Sequence, residues 1–467
     1  MTDHLESINP ATEAVLARFP AATPDEIEAA IAGADAAQKA WRRTSFEERA
    51  VAMRGLAGHL RRRRDDYARL ITLEMGKPIA EAVGEIEKCA LACDFYAAWA
   101  ADFLGDEVVA TNASRSLVAY EPLGVVLAIM PWNYPFWQVF RFAAPALMAG
   151  NGALLKHASN IPQCALAVGS AFEEAGFPRG LFRTLLLAGA AVEPVIRDPR
   201  VRAVTLTGSS EVGARVASIA GAALKKTVLE LGGSDPYIVL ADADVPAAAA
   251  TAVRARNQNN GQSCIAAKRF LVADAVADEF EERFARAVGE LRVGDPFDPA
   301  TRIGPVARGD IRDALERQVD ESVRQGARVL VGGRRTPGPG YFYEPTVLAG
   351  VRDDMPVMAE ETFGPVAAVR RVADAEEAVS IANGSGYGLG GSIWTADASR
   401  GEALARTIES GAVFVNGMVA SDPRLPFGGV KRSGWGRELG SFGIREFTNI
   451  QTIWVGPEVA PGGPIAE

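Results

Sequence analysis

The sequence predicts an α/β protein in which a doubly wound, mostly parallel sheet is followed by a second α/β unit. Three observations carry that prediction. Apolar runs without polar alternation, LGVVLAIM at 123–130 above all, have the pattern of strands buried on both faces. Ala-rich stretches of helical length separate those runs. A second series of the same kind begins after Gly232-Gly233.

Taken in order, Thr23-Pro24-Asp25-Glu26 carries a capping-box pattern with proline at the first helical position. Ile27, Ala30, Ile31, Ala34 and Trp41 then fall on one helical stripe. Four arginines at 61–64 precede Asp65 and Asp66, and the i+4 spacing predicts a solvated helix face. LGVVLAIMPWNYP reads as a buried strand ended by Pro131, with a site in the loop after it. ALLKH (153–157), FRTLLL (182–187) and VRAVTLTG (201–208) repeat the strand pattern. The alternation is βαβ, the pattern of a nucleotide-binding sheet. YIVL, RFLVAD, ARVLVGG and GAVFVNG form the second series, with DEFEERFARAVGEL as a helix among them. TPGPGY (336–341) reads as a loop. EFTNIQTIWVG reads as an edge strand whose Phe447, Ile450, Ile453 and Val455 need a partner.

Composition narrows the function. The 467 residues are 48% hydrophobic, enough for large cores. A net charge of -9 and a pI near 5.2 leave no basic field for nucleic acid or an anionic membrane, so small-molecule chemistry is expected. The first residues lack a basic segment followed by an apolar core, and no run approaches the about 18 apolar residues of a membrane span. Cys89, Cys93, Cys164 and Cys264 show no paired metal-ligand spacing. They suit free thiols in a reducing compartment, so a cytoplasmic protein without a metal site is expected.

Cys264, in ARNQNNGQSCIAAKRF, is the first chemical candidate, since a thiol is intrinsically nucleophilic. A lone cysteine is more often a small buried hydrophobe. Only His4, His59 and His157 are present, and none is near it in sequence, so a Cys-His hydrolase is poorly supported. A carboxylate is the other possible activator, and VLELGGSDP puts Glu230 at a strand end before two glycines that permit close approach. GSSEVG, between a strand and a helix, lacks the Gly-x-Gly-x-x-Gly spacing, yet it lies where a helix N-terminus favours a pyrophosphate.

Read together, ELGG followed 34 residues later by GQSC resembles the paired signature of the aldehyde dehydrogenase superfamily. PWNYP, LTGSSEVG and EETFGPV match further motifs of that superfamily in the right order, and the resemblance runs from NPATEAVLARF to IREFTNIQTIW. It implies an aldehyde dehydrogenase-like fold with a Rossmann-type cofactor domain at 1–104 and 126–232. A catalytic α/β domain would follow at 233–440, with a small β oligomerisation element at 105–125 and 441–458 and a flexible tail at 459–467. It implies Cys264 as nucleophile, Asn133 as oxyanion donor and Glu230 as activator of water. Trp132, Lys156, Ser159, Gly208, Ser209, Gly213, Leu231, Glu361 and Phe363 are the implied NAD or NADP contacts. Where NAD-preferring members often carry glutamate, Ser159 stands here, so use of NADP as well as NAD is expected. His157, where proline is common, is a departure.

The substrate reading rests on the segment after Pro135. If it is helical, residues 134, 138 and 141 share a face toward the pocket. Arg141 and Ser421 then match the carboxylate contacts of the superfamily's succinate-semialdehyde dehydrogenases, while Gln258 replaces an arginine found in several of them. Arg141, Gln258, Ser421, Tyr134 and Phe427 are the implied substrate contacts. A short ω-carboxyl aldehyde is expected, succinate semialdehyde first and glutarate semialdehyde next. Pairing of Arg141 with a structural carboxylate is the plainer alternative. A broader aldehyde dehydrogenase, a coenzyme A-acylating relative and a silent structural relative also stay open, although Glu230 argues for water as the acyl acceptor. The resemblance implies a homodimer or homotetramer.

Overall fold

The computed structural model describes residues 4–456. The helix Pro24–Trp41 starts at the predicted capping box: Glu26 N–H donates to Thr23 Oγ1 at 3.3 Å, and Thr23 N–H donates to Glu26 Oε2 at 2.8 Å. Ala30, Ile31, Ala34 and Trp41 are buried along its stripe. The four arginines are solvent-exposed as expected, but their pairing differs. Their helix ends at Arg62, with Arg63 at φ -101, so no i+4 register reaches Asp65 or Asp66. Arg61 instead bridges to Glu87 and Asp94 on the neighbouring helix Ile79–Leu104, at 3.0 and 2.7 Å.

The first sheet has six strands. From one edge they run Phe182–Thr184, Gly152–Lys156, Val125–Ile129, Val201–Thr207, Lys226–Glu230 and Gly434–Trp435. The first five are parallel, and only Gly434–Trp435 is antiparallel. Val125–Ile129 is buried at every residue, as its uninterrupted apolar run requires. Strand order reverses on either side of it, which opens a crevice at the carboxyl ends of Val125–Ile129 and Val201–Thr207. The strand read at FRTLLL is shorter than expected. It stops at Thr184, and Leu185 and Leu187 are apolar because they pack in the core beyond the ladder.

The second sheet has seven strands, in the order Arg328–Val331, Thr346–Ala349, Val366–Val372, Ala267–Ala273, Asp235–Val239, Gly390–Trp394 and Ala412–Val415. All but the first are parallel. Thr448–Val455, Arg115–Pro122 and Glu107–Val108 make a separate antiparallel ribbon. Ile450, Ile453, Trp454 and Val455 are exposed along its outer strand. Phe447 does not belong to that row: it precedes the strand and is buried, edge-on to Phe142 at 5.4 Å. The tail at 459–467 lies outside the described residues, among which no helix is long and apolar enough to cross a membrane.

Candidate active site

The polar stretch before Cys264 is a backbone device. The helix Val245–Asn257 ends, and Asn259, Asn260 and Gly261 follow in the left-handed region at φ 57, 56 and 72. Asparagine tolerates that region, and the side chains here are tied down as well. Asn259 Nδ2 donates to the carbonyls of Asn133 and Gln262 at 2.8 and 2.9 Å. Asn260 Nδ2 donates to those of Gly76 and Pro305, both at 2.9 Å. Beyond the thiol, the buried Lys268 ammonium donates to the carbonyls of Ser263, Cys264 and Ala266 at 3.1, 2.9 and 3.2 Å. The loop is fixed from both ends.

This places Cys264, half-buried, on the walls of two cavities. One, of about 190 Å³, lies at the sheet crevice and is walled by Trp132, Asn133, Gly208, Leu231, Glu361 and Phe363. The other, of about 70 Å³, holds all five residues read as substrate contacts: Tyr134, Arg141, Gln258, Ser421 and Phe427. Burial pushes the Cys264 thiol up to about 12, against the opposing pull of Arg141 and Lys268. The resting thiol is therefore protonated at neutral pH.

Asn133 is held in one orientation. Its Oδ1 accepts from Gln138 Nε2 at 3.1 Å and its Nδ2 donates to the Gln262 carbonyl at 3.0 Å, which leaves one amide hydrogen uncommitted. The peptide N–H groups of Phe136 and Trp137 donate to buried Glu85 at 2.8 and 3.0 Å, pinning the start of the helix Trp137–Met148. His157 holds the same loop. Its Nδ1 lies 3.0 Å from Ala158 N and 3.2 Å from the Met130 carbonyl, and its Nε2 lies 2.8 Å from the Pro135 carbonyl. Burial lowers His157 to about 4, and the ring stays neutral.

Glu230 ends its strand with both carboxylate oxygens buried and without hydrogen-bond partners. Burial raises it well above the usual carboxylate range; Arg141 opposes the shift and Glu438 adds to it. It lines neither of the two cavities. Arg141, also buried, is ion-paired with Glu438, donates to Thr207 Oγ1 at 3.3 Å and lies 4.6 Å over the Phe427 ring. Arg141 thus meets a structural carboxylate and the small cavity at once.

The glycines after Glu230 answer to packing. A Cβ on Gly232 would come within 2.5 Å of Glu361 Oε2, and one on Gly233 within 2.6 Å of the Cys264 carbonyl. Glu361 in turn accepts from Gly233 N–H at 3.0 Å. In GSSEVG, Ser209 caps the helix Ser210–Ala222 through Val212 N–H at 3.3 Å, leaving that N-terminus open to the crevice. Gly213 does not face the crevice. A Cβ there would meet the Leu231 side chain at 2.5 Å, so its smallness seats helix on strand. Ser159 lines a further cavity of about 410 Å³ with His4, Glu6, Asn160 and Gly189. Asn160 Nδ2 is buried there without a partner, and Glu6 is held by Arg18 at 2.7 Å. Lys156 is half-buried at the end of its strand, and desolvation lowers its pKa. Among the described residues no group of three or more His, Cys, Asp or Glu could hold a metal.

The aldehyde dehydrogenase family model matches residues 1–453. The chain belongs to the aldehyde dehydrogenase family. It is 52% identical over 451 residues to a probable succinate-semialdehyde dehydrogenase [NADP(+)] of Synechocystis, covering 97% of this chain and 99% of that protein. It is 51% identical over 454 residues to succinate-semialdehyde dehydrogenase [NADP(+)] 1 of Mycobacterium tuberculosis, with 97% and 99% covered. The solved succinic semialdehyde dehydrogenase of Streptococcus pyogenes, in complex with NADP+, superposes with a TM-score of 0.95 at 38% identity, covering 97% of this chain and all of that one. Of the residues that support this site, sequence reading missed Lys268, Glu438 and Asn259. Of these only Asn259 had a usable signal, a pair of asparagines before a glycine.

Proposed function

We propose that this aldehyde dehydrogenase oxidises succinate semialdehyde to succinate, with NADP as the preferred acceptor and NAD also used. One observation carries the reading: Cys264 is shared between the crevice cavity and a small cavity bearing Arg141, Gln258 and Ser421. The names of the relatives point to the same substrate and cofactor.

A dinucleotide fits the crevice. Trp132 and Phe363, edge to face at 5.6 Å, flank one end, and the open helix N-terminus at Ser209 suits a pyrophosphate. In the separate cavity of about 410 Å³, Ser159 and the unpartnered Asn160 amide offer donors to a ribose phosphate, with Lys156 at the end of the strand that leads to it. Leu231, Gly208 and Glu361 complete the walls. A bound nicotinamide supplies the hydride acceptor that converts a thiohemiacetal into a thioester.

The remaining steps belong to the chain. Cys264 Sγ bonds to the aldehyde carbon after its proton passes to ionised Glu230. Negative charge on the carbonyl oxygen is met by the free Asn133 amide hydrogen and the Cys264 peptide N–H, each such donor worth about 3 kcal/mol. Glu230 then releases the thiol's proton to solvent; ionised again, it takes a proton from the water that attacks the thioester carbon and hands it to the departing Cys264 sulfur as the C–S bond breaks, returning the thiol and releasing the acid. Tyr134 and Phe427 shape the small cavity around a short chain. The domain division read from the sequence, a homodimer or homotetramer built through the exposed ribbon, and a cytoplasmic setting belong to this reading.

The test is a panel of aldehydes followed by the absorbance of reduced nicotinamide, with and without coenzyme A. The reading expects succinate semialdehyde to give the highest kcat/KM, independent of coenzyme A. Preference for butanal or benzaldehyde, or a requirement for coenzyme A, would overturn it.

A further inference from the structure

A mouth of about 420 Å³ adjoins the small cavity and shares Lys88, Tyr134, Trp137 and Gln258 with it. Its walls carry four cations, Lys77, Lys88, Arg254 and Arg302, against two carboxylates, Glu81 and Glu85. Lys77 is already ion-paired with Glu85. In a protein of net charge -9, this is a local cationic entrance suited to an anionic substrate.

Lys88 stands where mouth and cavity meet. It projects from the helix Ile79–Leu104, with its ammonium 4.4 Å over the Trp137 ring and donating to Ser421 Oγ at 2.7 Å. Among the described residues it forms no ion pair, whereas Arg141 on the facing wall is paired with Glu438. An ammonium has three donors, and Ser421 takes one. The partner that a desolvated, unpaired cation lacks is an anion.

Resting on the substrate reading above, we propose that Lys88, acting with Ser421 and beside Arg141, is a further charged anchor for the substrate carboxylate. Burial lowers the Lys88 ammonium to about 8, so its charge is lost within an accessible pH range. The groups facing it are Arg141 on the Trp137–Met148 helix, Glu85 and Cys89 on its own helix, and Asp422 in the loop beside Ser421.

The experiment compares wild type, Lys88→Met and Lys88→Arg on succinate semialdehyde and on uncharged butanal. Lys88→Met should raise KM for succinate semialdehyde relative to that for butanal about 10- to 100-fold, the worth of a charge-assisted hydrogen bond, and Lys88→Arg should recover most of it. An unchanged ratio in Lys88→Met sinks the proposal. If that variant fails to fold, the wild type decides alone: its KM for succinate semialdehyde, and not for butanal, should climb as pH passes about 8. A flat ratio across that range overturns the proposal. A wild type that prefers butanal from the outset would instead refute the substrate reading beneath it.

Discussion

Glu230 is the residue whose environment and task conflict most openly. A base must be ionised, yet burial and the like charge of Glu438 hold its carboxyl protonated above the ordinary carboxylate range. A raised carboxyl pKa means that the ionised fraction grows as pH rises. Thioester hydrolysis should therefore accelerate with pH above that range, and Glu230→Gln should flatten the profile while slowing hydrolysis about 10²- to 10⁴-fold. A burst of reduced cofactor followed by a slow steady state is the expected trace; unchanged turnover would remove Glu230 from the mechanism. Cys264 yields a second expectation. With its thiol raised to about 12, alkylation of the cofactor-free enzyme should keep accelerating through the alkaline range, and a plateau near the ordinary thiol value of about 8.5 would contradict that shift. Cys264, Glu230 and Asn133 stood out as candidates because GQSC, ELGG and PWNYP together resemble aldehyde dehydrogenase motifs. Glu438 did not, since its meeting with Arg141 joins distant parts of the chain and leaves no local pattern.

At the scale of elements, the loop from Asn257 to Lys268 decides where the thiol points. Asn259 supplies both a left-handed turn and two amide bonds to carbonyls around Asn133. Asn259→Ala should cost about 2 to 4 kcal/mol of stability, combining the backbone penalty with lost hydrogen bonds. Asn259→Gly keeps the turn and should cost less, which denaturant titration can rank; equal losses would mean that the backbone conformation contributes nothing. In the proposed function, the strand Gly152–Lys156 and the loop after it make the cofactor choice. With Ser159 rather than a carboxylate at that cavity, and Glu6 occupied by Arg18, kcat/KM should be higher with NADP than with NAD, and exclusive use of NAD would contradict this. Buried parallel strands such as Val125–Ile129 were readable from their unbroken apolar runs. Leu185, Leu187 and Phe447 misled because packing beyond a ladder asks for the same apolar side chains as the ladder itself.

At the scale of the whole molecule, the outer strand of the antiparallel ribbon has a long edge with no partner among the described residues. Ile450, Ile453, Trp454 and Val455 are exposed along Thr448–Val455, a surface that isolated chains seldom leave open. Light scattering should find a dimer or tetramer, and Ile450→Glu should reduce its mass; a monomeric wild type would exclude the arrangement. Sequence pattern made the sheets legible one strand at a time, but not the return of Gly434–Trp435 to the first sheet, since a two-residue strand carries no periodicity. That return brings the segment bearing Glu438 beside Arg141 and Glu230, so the site depends on the entire fold. The central claim, that Cys264 carries the acyl group between the two cavities, has one direct measurement. Enzyme mixed with succinate semialdehyde and NADP should be quenched in acid during the first turnover, digested and weighed by mass spectrometry. A succinyl mass is expected on the peptide containing Cys264, accumulating further in Glu230→Gln. An unmodified Cys264 peptide under active turnover, or the adduct on Cys89, Cys93 or Cys164, would contradict it.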